Sequence, residues 1–552
     1  MNYALSSSPK PKMGFAGLKE NWQADLLAGF LVFLISLPLC LGVALASGFP
    51  AAAGIISAII GGLVVSRLNG SYITVTAPAA GLIVVMLSAV ETLGAGDAMA
   101  GYRYTLAAIV VASILQIILG LCKAGSLTAL FPSAVVHGML AAIGIIIITK
   151  QIHIMLGVTP ENGSLFATMA QIPHSLRHAN SDSAMIGFVS LALLIGWSRI
   201  KDVFWRKIPA PLLVILMGIA LGHFFHLEHQ HSYRLLADET YQHYHDYSKM
   251  GAKFLVNLPE NLHGSFYFPD FSKTFSFDFL VAVMGICLVG SLESLLSTTA
   301  IDKLDPYKRQ SDLDRDLTAV GIGNLIAGCI GGLPMIAEIV RSSTNVNNGA
   351  KTSWAGFFNG LFLLVFVGLF PRLIHSIPLA ALAALLVYIG YQLASPQLFK
   401  TILSIGSEQF LLFVVTILGV LASNLLMGVL LGILVKFAIQ LMRGVWFSNL
   451  FKIHFTLTET DNTIVVKLHG SALFSNFLPL KKALLQLEKG KTIVFDFSNG
   501  YLIEHTVMEF IEAFSQNYSA TGGHCQQIGV PLQSFSNHKL ASRIMTEDRK
   551  QG

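Results

Sequence analysis

Between Gly331 and Thr352 the chain reads GGLPMIAEIVRSSTNVNNGAKT, with Glu338, Arg341 and a cluster of Ser, Thr and Asn set between long apolar runs. Lipid hydrocarbon does not accept such groups, so the run belongs in a protein-lined cavity. Gly331, Gly332 and Pro334 disfavour a continuous helix, whereas Ile339 to Asn348 can form a short one. A span broken in this way leaves unpaired backbone N–H groups and the positive end of a helix dipole at the start of the half-helix. Arg341 stands one turn in, next to Ile339, Val340 and Ser342. This is the chemistry of an anion site. The alternative is a structural charge, with Arg341 paired to Glu338 or Glu293.

A second stretch of the same kind lies early in the chain. SYITVTAPAAGLIVVMLSAV opens with an alternating β-branched segment through Thr76, reaches Ala77, Pro78 and Ala79, and continues with a helical pattern to about Val90. Proline in a first helical turn has no N–H to leave unpaired, which suits Pro78 to that place. Broken spans in corresponding halves of a membrane protein point to a transporter's substrate site at the interface of inverted repeats.

The elements that carry these stretches are membrane spans. With 552 residues, 53% hydrophobic and 12% charged, and a mean hydropathy of +0.64, the composition is that of a polytopic membrane protein. Apolar runs begin at Asp25–Ser47 and Ala51–Ser66 and continue to Asn424–Met442, predicting fourteen spans, seven on each side of the polar loop from His226 to Ser276. The net charge of +5 does not mark a nucleic-acid binder, because the basic residues fall in short loops. Lys10, Lys12, Lys19, Lys201, Arg206, Lys207, Lys303, Lys308, Arg309, Arg315, Lys400 and Arg443 share one side if both termini are cytoplasmic. Residues 1–24 read as a cytoplasmic leader without a signal-peptide pattern. The polar loop holds His226, His229, His231, His243 and His245, a set able to bind a soft metal but equally a solvated surface. Five cysteines show no disulfide or zinc spacing, and no His/Cys/Asp constellation supports a carbonic-anhydrase-like enzyme. After Met442 the pattern changes to period-2 strands and amphipathic helices, predicting a small cytoplasmic α/β domain from about Phe451 to the end.

The first span DLLAGFLVFLISLPLCLGVALASG, the segment FPSAVVHGMLAAIGIIII, the broken stretch ending NNGAKTSWAG and the terminal α/β domain together resemble the sulfate permease family. The resemblance covers nearly the whole chain. It implies seven-plus-seven inverted repeats, a core and a gate within a transmembrane domain at 25–443, a STAS domain at 451–552, and a homodimer. It also implies transport of sulfate, bicarbonate, chloride, oxalate or dicarboxylates. By that resemblance Arg341 stands beside the anion, eight positions before Gly349 of the Gly349-Ala350-Lys351-Thr352 run. Thr76, Ala77, Pro78 and Ala79 form the third-span side, and Pro38, Leu39, Cys40 and Val43 line the pocket. Glu293 and Ser297, in GSLESLLSTT, match a sodium site, with proton carriage or a structural partnership as alternatives.

Two departures matter. Glu338 stands where the family usually has a small or neutral residue, and a second carboxylate beside the pocket disfavours a doubly charged anion. EIVRSSTNVNNGAKT is closer to members thought to work with carbonic anhydrase. In the α/β domain, the phosphorylatable serine of bacterial anti-sigma antagonists falls at His505 after Glu504, with Thr506 adjacent, so packing or dimer stabilisation is expected there in place of a phosphoswitch. The expectation is secondary active transport of a small inorganic anion, bicarbonate or sulfate, across the bacterial inner membrane. Sodium or protons would drive it, no cofactor is called for, and the alternatives are an anion channel, an exchanger or a dicarboxylate transporter.

Overall fold

The computed structural model describes residues 10–125, 131–159, 164–200, 208–227, 254–257, 262–460, 462–487, 490–519, 522–529, 532–534, 536 and 538–545. His229, His231, His243 and His245, and the cations Lys201, Arg206 and Lys207, lie outside the described residues.

The apolar runs fold as α1 (Gly14–Ala46), α2 (Ala51–Ile60), α3 (Ser66–Leu68), α4 (Ile83–Gly94), α5 (Ala98–Leu121), α6 (Ser133–Met155), α7 (Leu165–Ala170), α8 (Ile172–Arg177), α9 (Ser181–Ser198) and α10 (Ala210–Phe224). Then follow α11 (Phe277–Leu304), α12 (Leu313–Ile330), α13 (Ile339–Asn347), α14 (Trp354–Leu369), α15 (Pro371–His375), α16 (Leu379–Leu393), α17 (Pro396–Ile405), α18 (Ser407–Ala422) and α19 (Leu425–Met442). Among the described residues eight stretches of helix are long and apolar enough to cross a bilayer, and four shorter apolar helices accompany them. The chain is a polytopic helical membrane protein.

Two units divide it: Met1–Gly125 with Ile143–Gln392, and Ser126–Ala142 with Leu393–Gly552. In the first unit α1 begins at Gly14, well before the apolar run at Asp25. Two anchors hold this early turn. Trp354 Nε1 donates to the Gly14 carbonyl, and the buried Asp25 carboxylate accepts from Lys351 N, Thr352 N and Thr352 Oγ1. The Gly-Ala-Lys-Thr run is therefore the socket of Asp25. Arg309, read from sequence as a solvated topology charge, is buried. It bonds Asp305 and the Lys351 carbonyl and lies over the Tyr72 ring, because a guanidinium can satisfy several acceptors and stack at once.

In the second unit the C-terminal residues form a six-stranded sheet: β3 (His454–Glu459), β4 (Thr463–Ala472), β5 (Thr492–Ile503), β6 (His524–Ile528), β7 (Leu532–Ser534) and β8 (Arg543–Met545). β1 and β2, two-residue strands at Thr76–Ala77 and Ile336–Ala337, belong to the first unit. Strand β5 pairs in parallel with β4 and β6 and antiparallel with β8. Alternate residues Ile464, Val466 and Leu468 of β4 and Ile493, Phe495 and Phe497 of β5 are buried with Val507, Ile511 and Phe514 of α21 (His505–Ser519), which follows the short helix α20 (Leu478–Leu485). This α/β sheet fits a STAS domain.

Candidate functional site

The break after α12 is made by Gly331, whose φ of 99° lies in the left-handed region that a side chain would strain. The chain then runs extended to β2, which pairs antiparallel with β1, Thr76 opposite Ala337 and Ala77 opposite Ile336. Main-chain groups at membrane depth need partners, and polar side chains supply them. Ser57 Oγ donates to the Leu333 carbonyl, Asn324 bonds both Met335 N and Met335 O, and Tyr102 Oη donates to the Gly331 carbonyl. Ser294 Oγ accepts from Ala337 N, Ser342 Oγ from Val75 N, and Glu338 N donates to the Val75 carbonyl. Two half-helices leave this crossing: α13, and a turn of 3₁₀ helix at Ala80–Leu82 that runs into α4. Pro78 lies just before that turn and not inside it, because Ala79 is the extended N-cap.

Arg341 is 0% exposed. Its Nη2 donates to the Pro78 carbonyl at 3.2 Å, its thiol neighbour is Cys40 of α1, and its Nε lies 3.9 Å from Glu338 Oε2. Nε and Nη1 have no hydrogen-bond partner among the described residues. Glu338 caps α13 by accepting from Arg341 N at 2.7 Å. Both alternatives for Arg341 are thus visible in one residue: it has a carboxylate close by, and it has donors to spare. No ion pair joins it to Glu293 among the described residues. Ile339 and Val340, in the first turn of α13, are exposed, whereas Thr76, Ala77, Ala79, Leu39, Cys40, Val43 and Ser342 are buried. α1 and α11 both pack against α13.

Glu293 of α11 is buried, and its Oε1 has no hydrogen-bond partner among the described residues. The carboxylate abuts Gly81 so closely that a Cβ there would overlap both oxygens. Each half-helix therefore begins beside a carboxylate, Glu293 at the first and Glu338 at the second. Ser297 is buried one turn from Glu293, and Ser294 is committed to the β2 backbone.

Several site residues escape a reading from sequence. Asn345 donates to the Ile73 carbonyl and keeps an unpartnered Oδ1. Gln116 bonds Asn324 and Ser291, tying α5 to α12 and α11 behind the crossing. The signal was there, an amide in an otherwise apolar span, but only the fold says which backbone it serves.

The Sulfate permease family profile matches residues 22–416. YvdB of Bacillus subtilis, which carries the name "Putative sulfate transporter", is 24% identical over 93% of this chain and 92% of its own length. The bicarbonate transporter BicA of Picosynechococcus is 24% identical over 81% of this chain and 74% of its own. The murine Slc26a9 anion transporter, solved in its inward-facing state, superposes with a TM-score of 0.65 at 15% identity, over 92% of this chain and 85% of that one. With crossed strands, paired half-helices and a match along most of its length, the chain belongs to the sulfate permease family of anion transporters.

Proposed function

We propose that the chain carries a small inorganic oxyanion across the bacterial inner membrane by secondary active transport, with bicarbonate preferred to sulfate. The observation that carries this reading is Arg341, fully buried at the head of a half-helix with two nitrogens, Nε and Nη1, that have no hydrogen-bond partner among the described residues. Buried donors need acceptors, and those of a guanidinium need them most. Glu338, its carboxylate 3.9 Å from the guanidinium, favours a singly charged guest over a doubly charged one. The names of YvdB and BicA, sulfate and bicarbonate, mark the two candidates.

Glu293 and Ser297 supply oxygen for a coupling sodium ion, or Glu293 carries a proton. The crossed half-helices travel as a core against a gate. In this reading 25–443 is the transmembrane domain, with fourteen spans in seven-plus-seven inverted repeats, and 451–552 is a cytoplasmic STAS domain. Both termini are cytoplasmic, and two copies form a homodimer. Membrane lipid surrounds the spans, no nucleic acid is engaged, and carbonic anhydrase is a partner suited to a bicarbonate carrier. The test is uptake of labelled bicarbonate, sulfate and succinate into proteoliposomes with and without a sodium gradient. Cation-dependent bicarbonate accumulation is expected; uptake of succinate alone, or of no anion, rejects the reading.

A further inference from the structure

An anion entering this site meets another anion first. The donors that a half-helix offers a guest are the N–H groups of its first turn, and in α13 the N–H of Arg341 is already bonded, at 2.7 Å, by the Glu338 carboxylate. The same Oε2 lies 3.9 Å from Arg341 Nε. Glutamate is not among the preferred N-caps, since Ser, Thr, Asp and Asn reach the same donor with a shorter side chain. Glu338 is also only partly buried, its side chain 15% exposed against 1% for Arg341, and its neighbours Ile339 and Val340 are exposed. The carboxylate thus has open space to move into. The guanidinium, pinned to the Pro78 carbonyl, does not.

We infer that Glu338 is a built-in competitor for the transported anion: its carboxylate holds the half-helix terminus and must give up that place, or share it, when the substrate binds. This rests on the proposed anion site at Arg341. It goes further in assigning Glu338 the setting of affinity and of charge selectivity. A monovalent oxyanion exchanges with the carboxylate charge for charge. A divalent one leaves one negative charge in excess after the same exchange, so it is held back more strongly.

Three substitutions separate charge from capping. Glu338→Ser keeps a good N-cap without charge, Glu338→Gln keeps size and an acceptor oxygen without charge, and Glu338→Asp keeps both charge and cap. Concentration-dependent uptake of bicarbonate and of sulfate is measured in proteoliposomes for the unmodified protein and all three variants. Thermal unfolding in detergent monitors the fold. The expected result is a KM lowered about tenfold or more in the Ser and Gln variants, the usual scale of one charge-assisted contact. The drop is larger for sulfate than for bicarbonate, and the Asp variant stays near the unmodified protein. Unchanged or raised KM in both neutral variants, or equal shifts for the two anions, overturns the inference while leaving the anion site standing. No anion uptake by the unmodified protein removes the proposed function itself.

Discussion

Replacing Arg341 by alanine removes the guanidinium and little else. The Glu338 cap is bonded to the backbone N of residue 341, which alanine retains, so α13 keeps its first turn. The fold loses the hydrogen bond to the Pro78 carbonyl, a loss of about 1 kcal/mol, and the 3.9 Å ion pair with Glu338. The proposed anion site loses Nε and Nη1, which have no hydrogen-bond partner among the described residues. Hydrogen bonds to a charged partner contribute about 1.5–3 kcal/mol, so loss of one such contact raises KM roughly ten- to hundredfold. Arg341→Lys keeps the charge but not the planar fork and falls between the two. Initial rates of uptake across a range of anion concentrations give KM, and thermal unfolding and gel filtration give the state of the fold. A KM for Arg341→Ala equal to that of the unmodified protein, in a protein that remains folded, refutes the assignment of the spare donors to the substrate.

Further outcomes follow from neighbouring residues. Glu293→Gln preserves size and removes charge at the start of the first half-helix; it is expected to abolish gradient-driven accumulation while sparing counterflow, and accumulation at the unmodified level would make Glu293 structural. Gly81→Ala places a methyl group on the Glu293 carboxylate, with a destabilisation of about 1–3 kcal/mol from overpacking and a lower melting temperature, and an unchanged melting temperature would refute the contact. In the second unit, Lys436→Met strips Glu408 and Glu504 of a shared buried cation. Removing one partner of a buried pair costs about 3–5 kcal/mol, and the lower end is expected because Glu408 keeps Arg443 and Glu504 keeps Phe474 N and Gln440. Calorimetric unfolding of the full chain measures it, and a change smaller than that of a surface lysine contradicts the pairing.

The legible parts of this protein are those that depend on composition or on a local break. A glycine pair and a proline inside an apolar run can only interrupt a helix, and the interruption at Gly331–Pro334 and the half-helix after Glu338 follow as read. Arg341 in hydrocarbon admits few roles, so its burial in the first turn of α13 was legible too. What the sequence could not disclose is pairing across long separations. Nothing local says that Thr76 lies opposite Ala337, that Asp25 is bonded by Thr352, or that Gln116 reaches Asn324. Arg309 shows the same limit from the other side: a basic residue in a short loop reads as a topology signal whether it faces water or, as here, a carboxylate and a tyrosine ring. The short strands β6 to β8 lack the length that makes a period-2 pattern visible.

The C-terminal sheet gives a different lesson about a departure from a family pattern. The resemblance read from sequence sets Glu504 and His505 where an anti-sigma antagonist carries an acidic residue and its phosphorylatable serine. Glu504 is almost fully buried and accepts from Phe474 N at 2.8 Å and Gln440 Nε2 at 3.1 Å, with Lys436 Nζ 2.6 Å away. Lys436 and Gln440 stand one turn apart on α19. His505 N donates to Ser542 Oγ and its Nδ1 to the Leu540 carbonyl. A pair committed in this way has no free hydroxyl to modify. It instead fixes the end of β5 to a membrane helix through a desolvated charge, where a shift of Glu504 leaves Lys436 with Glu408 alone. A buried charge resists losing a partner far more than an exposed one does. Glu504 therefore ties the end of β5 to α19 through Lys436 and Gln440.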